Sequence, residues 1–161
     1  IALDALTLDR FSAGSSSGEI KLAPLNAHTA ALVSTSGGVT AESITADSLT
    51  IEATSGQVSV QALTARDAAV TATSADMSLT YAAFGGDALT IRSTSGKVAL
   101  ALPADPSFGF AISRTSSYVQ SDFEEIAAFG QEPDTLRGKV NGGEGSVSIA
   151  CTSGDIEISK R

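Results

Sequence analysis

Apolar and polar residues alternate along most of the chain, in short stretches that meet at a small polar tripeptide. In residues 49–60, LTIEATSGQVSV, apolar side chains take every second position on both sides of Thr-Ser-Gly. Alternation with a period of two is typical of β-strands with one buried face. The pattern therefore predicts a strand, a tight turn and a second strand, followed by a looser polar turn such as residues 64–68.

The tripeptide recurs along the chain at a nearly constant spacing. Its third positions fall 19, 19, 19, 21, 21 and 37 residues apart, at Gly18, Gly37, Gly56, Ala75, Gly96, Ser117 and Gly154. Two residues after each of them stands an apolar residue: Ile20, Val39, Val58, Met77, Val98, Val119 and Ile156. A fixed period of this length is typical of a repeat architecture, and the last gap is close to two periods.

Stacked repeats explain why like residues recur at this period. If the chain coils so that each unit lies on the one before, equivalent strands pair in parallel about 4.8 Å apart and the apolar columns become the interior. We therefore predict an all-β fold, a single-stranded parallel β-helix (β-solenoid) with 19–21 residues per rung. We expect it to be right-handed because parallel connections strongly prefer that hand.

We expect residues 1–161 to form a single β-solenoid domain, since the chain is too short to argue for two. Counting back one period from Ile20 and Leu22 gives Ile1 and Leu3, so the interior columns already run at the first residue. A solenoid end needs a polar cap. The sequence thus predicts that the domain is truncated at its N-terminus.

The repeat is interrupted in two places. Residues 121–145 are predicted to form an irregular rung or flap with a helix-compatible piece at 122–129, and residues 102–110 form a second irregular segment. Insertions on solenoids often carry function. We therefore predict an interaction surface here, made of Phe108, Phe110, Phe123, Glu124, Glu125 and Phe129. The alternative is that both segments only cap an open flank.

Composition narrows the range of partners. The formal net charge is −8, and the ten Lys and Arg residues are scattered, so neither nucleic acid nor adsorption to anionic lipid is expected. No run approaches 18 apolar residues, so membrane contact is expected only through an anchor upstream of Ile1. A single Cys supports neither an intramolecular disulfide nor a cysteine metal cluster.

The residues that could carry chemistry each have a simpler interpretation. His28, the only histidine, lies in a turn where we expect it to be solvated, and Cys151 occupies a column of small buried residues, as expected of an inert core thiol. The segment 141–149, NGGEGSVSI, is a single partial likeness to a calcium β-roll repeat and lacks its Asp. Thr and Ser beside a glycine corner do not make the wide T-x-T face of ice-binding proteins. We predict no catalytic residue, no cofactor and no metal.

Acidic residues of the irregular segment offer the strongest argument for an enzyme. They are Asp122, Glu124, Glu125, Glu132 and Asp134. Paired carboxylates hydrolyse glycosidic bonds in many carbohydrate-active enzymes. The alternative is a solvated acidic loop, which the lack of neighbouring basic and aromatic residues favours.

The repeats of the form TSGxVxV and the closing segment GEGSVSIACTSGDIEIS (144–159) resemble the bacterial adhesin-like β-solenoid domain family, a domain of unknown function. The resemblance covers Phe11 to Ser159. It implies a β-solenoid that is exported or faces the cell envelope, often after a membrane helix or a regulatory domain. The family has no shared catalytic motif.

The sequence thus predicts a non-enzymatic, cell-surface or secreted adhesin-like interaction module, extracellular or in the cell envelope. Its expected partner is a protein or a glycan, and open edges leave room for an oligomer. Two alternatives stay open at this point: a carbohydrate-active enzyme that uses acids within 122–134, and a purely structural spacer.

Overall fold

The computed structural model describes residues 2–3, 6–84, 87–128 and 134–161 of the chain. In these ranges the protein is all-β, as predicted, with one short helix. The elements are β1 (Ala2–Leu3), β2 (Leu6–Ser15), β3 (Ile20–Leu22), β4 (Leu25–Ser34), β5 (Val39–Ala41), β6 (Ile44–Tyr81), β7 (Ala88–Ser95), β8 (Val98–Leu102), β9 (Phe108–Ser116), β10 (Val119–Ser121), α1 (Glu124–Ala127), β11 (Thr135–Val140), β12 (Gly145–Ser153) and β13 (Ile156–Lys160). No helix among these is long and apolar enough to cross a membrane.

Short and long strands alternate along the chain and form two series of parallel pairs. The short strands β3 and β5 pair with each other, and β5 also pairs with the middle of β6. The long strands β2 and β4 do the same with the start of β6. Ile20 faces Val39 and Val39 faces Val58, so the register of the sheet equals the 19-residue repeat of the sequence. The predicted apolar columns therefore lie side by side.

The tripeptide glycines make the corners between short and long strands, and neighbouring corners touch. Gly56 has a φ of +112°, and a Cβ placed there would lie 2.7 Å from the carbonyl oxygen of Gly37. A side chain would be strained in this conformation and would also collide with the backbone of the adjacent corner. Both reasons make glycine the residue of choice at this corner.

The buried residues form one aliphatic cluster between the two series of strands. It consists mainly of Leu, Ile, Val and Ala from alternate positions of each strand. Four rings extend it in edge-to-face contacts, with centroids 5.0 Å apart for Tyr81–Phe84, 5.9 Å for Phe84–Phe108 and 5.6 Å for Phe108–Phe123. This geometry is a favoured one for aromatic pairs.

The stacking order at the C-terminal end differs from the expected one. β12 pairs in parallel with β7 on one side and with β9 on the other, and β13 lies likewise between β8 and β10. The expectation that each unit lies on the one before is therefore wrong here. Periodicity could not reveal this order, because the apolar columns of the three repeats carry similar residues. A strand from any of these repeats could therefore pack beside the same neighbours.

The segment predicted as an irregular rung or flap holds α1 and β11. β11 pairs antiparallel with β9 and is the last strand of the series β7–β12–β9–β11. The chain then reverses through Asn141, Gly142 and Gly143, all with positive φ, and enters β12. The segment thus carries the chain past β9 and back, so that the last repeat can pair between two earlier ones. The end position of β11 is what the capping alternative predicts.

Candidate binding face

The phenylalanines proposed as an interaction surface lie in the core. Phe108 is 0% exposed, Phe110 4% and Phe123 1%. Along β9 the alternation turns Phe108 and Phe110 inward, and Phe123 packs its ring edge-to-face on Phe108. Lys160 Nζ lies 5.0 Å from the centroid of the Phe123 ring. The predicted surface must therefore be corrected, because these rings stabilise the core and are not available to a partner.

The acidic candidates lie on the surface where they are described. Glu124 and Glu125 are exposed in the first turn of α1, and Asp134 is exposed just before β11. Asp122 is also exposed, and its Oδ2 accepts a hydrogen bond from the backbone N–H of Lys160 at 3.1 Å. Two remaining candidates, Phe129 and Glu132, lie outside the described residues. In the described ranges, no group of three His, Cys, Asp or Glu could hold a metal ion.

His28 and Cys151 both take part in local contacts. His28 is exposed, and its Nδ1 pairs with Oδ2 of Asp47 on the neighbouring repeat. Cys151 is buried, and its Sγ donates to the carbonyl oxygen of Gly154 at 3.7 Å.

The column that contains Cys151 has a role that the sequence did not reveal. Ser34 Oγ donates to the carbonyl of Gly37 at 2.5 Å, and Arg114 Nη1 donates to that of Ser117 at 3.1 Å. Each donor stands just before its tripeptide, and each acceptor is the third tripeptide residue. At Ser34, Arg114 and Cys151 this column therefore satisfies a carbonyl group at the corner of the repeat.

A continuous face is formed by the outward-facing residues of the four long strands at the C-terminal end of the series. We call it the outer face. It consists of Ala88, Thr90, Arg92 and Thr94 of β7, Ser146, Ser148, Ala150 and Thr152 of β12, Gly109, Ala111, Ser113 and Thr115 of β9, and Thr135, Arg137 and Lys139 of β11. Apart from three cations, every member is Ala, Gly, Ser or Thr, so short side chains cover a broad part of the sheet.

The charge of the outer face is opposite to that of the whole chain. Its charged members are Arg92, Arg137 and Lys139, and none of its fifteen residues is acidic, although the chain has a net charge of −8. Carboxylates reappear on β6, the strand beyond β7, where Asp67 faces Ala88. The outer face is therefore a basic patch on an acidic protein.

Two cations elsewhere are paired with nearby acids. Lys97 Nζ lies 2.5 Å from Glu157, which raises the pKa of Lys97, and Lys21 lies 3.2 Å from Glu19. Hydrogen bonds from Lys21 and Thr40 lower the pKa of Glu19. Within the described ranges no ion pair includes a cation of the outer face. The described acids therefore leave these three charges outside any ion pair.

Two shallow grooves lie on the outer face. One, of about 430 Å³, extends from β6 across β7, β12 and β9 and includes Thr94, Thr115 and Thr152 at equivalent positions. The other, of about 480 Å³, lies between β9, β11 and β12 and is lined by Arg137 and Lys139 together with Gly109 and Ser146. Both volumes fall within the range of small-ligand sites.

The threonines of the first groove form a T-x-T pair on β6, at Thr71 and Thr73, but not on the other strands. The positions two residues before Thr94, Thr152 and Thr115 hold Arg92, Ala150 and Ser113.

The sequence held only a weak signal for the outer face. Arg92 lies on β7, and Arg137 and Lys139 lie on β11, which joins the same face because it pairs with β9. The signal that is present is the run of Ala, Ser and Thr without acids at alternate positions of β7, β9 and β12. The basic residues are scattered along the sequence, but three of them share a face of the folded protein.

The fold is a repetitive all-β domain, defined by parallel strands at a 19-residue register and by the tripeptide corners. A comparison with protein families gives a matching family. The model of the Toastrack DUF4097 family matches residues 1–159. The chain belongs to this family, a domain of unknown function with a β-solenoid-like fold. Comparison with curated proteins and with solved structures gives no match.

Proposed function

We propose that the chain is a non-enzymatic, adhesin-like binding module that presents its outer face to a protein or glycan of the cell surface or envelope. The observation that carries the proposal is the outer face itself, a basic, nearly flat patch of short side chains on an acidic protein. A surface of this kind attracts an anionic partner electrostatically and lets it approach the sheet closely.

The fold supports a binding role because it holds the face rigidly. The outward residues stand on hydrogen-bonded strands whose other side is buried in the core. We further propose that the repeats close into a right-handed β-solenoid. The 19-residue register and the membership in the Toastrack family support this geometry.

The proposed location, extracellular or in the cell envelope, rests on the resemblance of the TSGxVxV repeats to exported adhesin-like domains. An acidic, low-charge surface with one concentrated basic face is compatible with a soluble module that binds a polyanionic surface at one side.

The proposal can be tested with purified chain and bacterial envelope fractions. Saturable binding of the labelled chain is expected, and Ala150→Glu combined with Ser113→Glu should weaken it by about tenfold because two acids then stand in the middle of the basic face. The matched control is Ala31→Glu with Ser12→Glu, an Ala and a Ser that also face each other at outward positions of long strands. Equal binding by both double variants would overturn the role of the outer face.

The same preparations test the two alternatives. Release of new reducing ends from envelope polysaccharides, lost in Glu124→Gln or Glu125→Gln, would replace the binding module with a carbohydrate-active enzyme. Absence of saturable binding to every fraction would favour the structural spacer.

A further inference from the structure

We infer that the groove between β9, β11 and β12 binds a carboxylate-bearing sugar of an acidic polysaccharide. The inference rests on the proposed function and adds the chemical class of the ligand. Three observations support it: the positive charge at the rim of the groove, the composition of its floor, and a third cation, Arg92, on β7.

Two cations stand at the rim. Arg137 and Lys139 are exposed and two residues apart on β11, so they lie on the same side of the strand. The stem of Lys139 lies along the following turn, where a Cβ on Gly143 would come within 2.9 Å of Lys139 Cδ. The glycine thus leaves room for the lysine stem. The carboxylates that precede β11 and β12, Asp134 and Glu144, do not line the groove.

The floor of the groove is mostly apolar and carries only short side chains. Gly109 and Ala111 of β9 form it, and Ser146 and Ser148 of β12 supply hydroxyl groups beside them. Gly109 does not have a positive φ, and a Cβ there would meet nothing closer than 3.8 Å. Neither the backbone nor the packing requires a glycine at this position. Its missing side chain instead leaves the groove open.

This combination suits a pyranose ring that carries an acid group. Such a ring has an apolar C–H side, hydroxyl groups at its edge and one carboxylate, which correspond to the floor, the serines and the two cations. The outer face contains no aromatic ring for stacking a nucleic-acid base and no large apolar side chain for entering a lipid layer. The chemistry therefore favours an acidic sugar over the other polyanions.

A third cation indicates a polymer rather than a single sugar. Arg92 on β7 is separated from Arg137 on β11 by three strand spacings, about 14 Å across the sheet, and by two residues along the strands. Between them lie the hydroxyl groups of β12 and β9, including Ser148 and Ser113. A chain of acidic sugars that crosses the strands would reach both ends of this path.

The charge requirement is tested with polygalacturonate as the probe. The wild-type chain should bind it with an affinity that falls as salt is added, and Arg137→Gln with Lys139→Gln should weaken binding by about tenfold or more. The control, Lys21→Gln with Arg66→Gln, removes the same charge from exposed positions outside the outer face and should bind as the wild type does. Equal losses in the two variants would overturn the assignment of the groove.

The shape requirement is tested without any change in charge. Gly109→Val should fill the groove and weaken binding, whereas Gly14→Val should not. Gly14 is an equally suitable control because it also faces outward on a long strand and its nearest neighbour, the carbonyl oxygen of Val33, is 3.9 Å away. Circular dichroism should show both variants folded, since valine suits a strand. Undiminished binding by a folded Gly109→Val variant would contradict the proposed site.

The class of ligand is tested by changing the probe. Dextran, a neutral polysaccharide, and poly-glutamate, an anionic peptide, should bind at least about tenfold more weakly than polygalacturonate. If poly-glutamate binds equally well, the groove recognises charge alone and the sugar assignment is wrong. If envelope binding depends on the outer face while polygalacturonate does not bind, this inference fails and the proposed function stands.

Discussion

Gly154 lies directly against Gly96, and the neighbouring Ser153 Oγ donates a hydrogen bond to the carbonyl oxygen of Thr94 at 3.2 Å. The last tripeptide corner therefore stacks on the corner at 94–96, and the corner at 115–117, which precedes it in sequence, lies on its other side. β12 and β13 consequently lie inside the stack, with β9 and β10 beyond them. The same arrangement brings Arg92, Arg137 and Lys139 onto one face.

Disulfide trapping should reveal this order of strands. In a Cys151→Ser background, cysteines at 95 and 153 should form a disulfide on oxidation, because Ser95 and Ser153 face each other in adjacent strands. Cysteines at 116 and 153 should do the same. Cysteines at 95 and 116 should not, since β12 separates the two positions. Non-reducing electrophoresis after proteolysis gives the measurement, and an efficient 95–116 bond would contradict the inserted strand.

Substitution of Gly154 by Ala should destabilise the protein by about 2 kcal/mol or more. Gly154 has a φ of +125°, and an added Cβ would overlap the carbonyl oxygen of Gly96. Urea unfolding measures the effect. Gly14→Ala is the control and should change the free energy of unfolding by less than about 1 kcal/mol, because the space around Gly14 is open. Similar losses in both variants would mean that the corners are not tightly stacked.

Tyr81→Phe should leave stability at neutral pH unchanged or raise it by up to about 1 kcal/mol. The Tyr81 hydroxyl is buried and has no hydrogen-bond partner among the described residues. Removing it therefore relieves an unsatisfied polar group. Thermal unfolding at pH 7 measures the change, and Tyr118→Phe, at an exposed position, is the control. A loss of several kcal/mol would show that the hydroxyl has an important partner.

The same substitution should also alter stability at high pH. Burial, and next the charge of Asp87, raise the pKa of Tyr81 above its ordinary value of 10.0. A raised pKa contributes stability that is complete below the unfolded value and is lost as the pH rises toward the folded one. The wild type should therefore lose stability above about pH 10 more steeply than Tyr81→Phe. Parallel pH profiles for the two proteins would refute this assignment.

Phe123→Ala should cost about 3–5 kcal/mol of stability, as expected for a fully buried phenylalanine. Phe123 contacts Phe108 and lies beneath Lys160, so its removal leaves a cavity beside α1. Glu125→Ala on the exposed side of α1 should change stability by no more than about 0.5 kcal/mol. Urea denaturation separates the two cases. A stable Phe123→Ala variant with altered binding would instead restore Phe123 to an interaction surface.

Much of the fold could be predicted because local signals agree with the tertiary structure. Alternation gave the strands, and the small tripeptide gave the corners. The fixed period gave the register in which Ile20 faces Val39 and Val39 faces Val58. The helix-compatible piece at 122–129 likewise contains α1, with Phe123 and Ile126 buried. Each of these features depends on residues close in sequence or on a repeat that the chain displays openly.

The candidate site was less predictable because bulky residues in irregular segments suggest an exposed surface. Phe108 and Phe110 obey the same alternation as the aliphatic residues, and their inward positions in β9 follow from it. The irregular sequence around them obscures that pattern. The residues of the outer face, in contrast, are small and common, and nothing in their local sequence distinguishes them.

The sequence by itself determined the strands, the corners and the parallel register, because a repeated pattern of burial leaves few other ways to hide its apolar columns. Only the tertiary structure decided the order of the last strands and the composition of the outer face. Equivalent repeats bury similar columns whichever neighbour they choose, so burial alone does not set their order, and the strand pairing with the antiparallel β11 at the end of the series does. That order places Arg92 of β7 on the same face as Arg137 and Lys139 of β11, on an acidic protein.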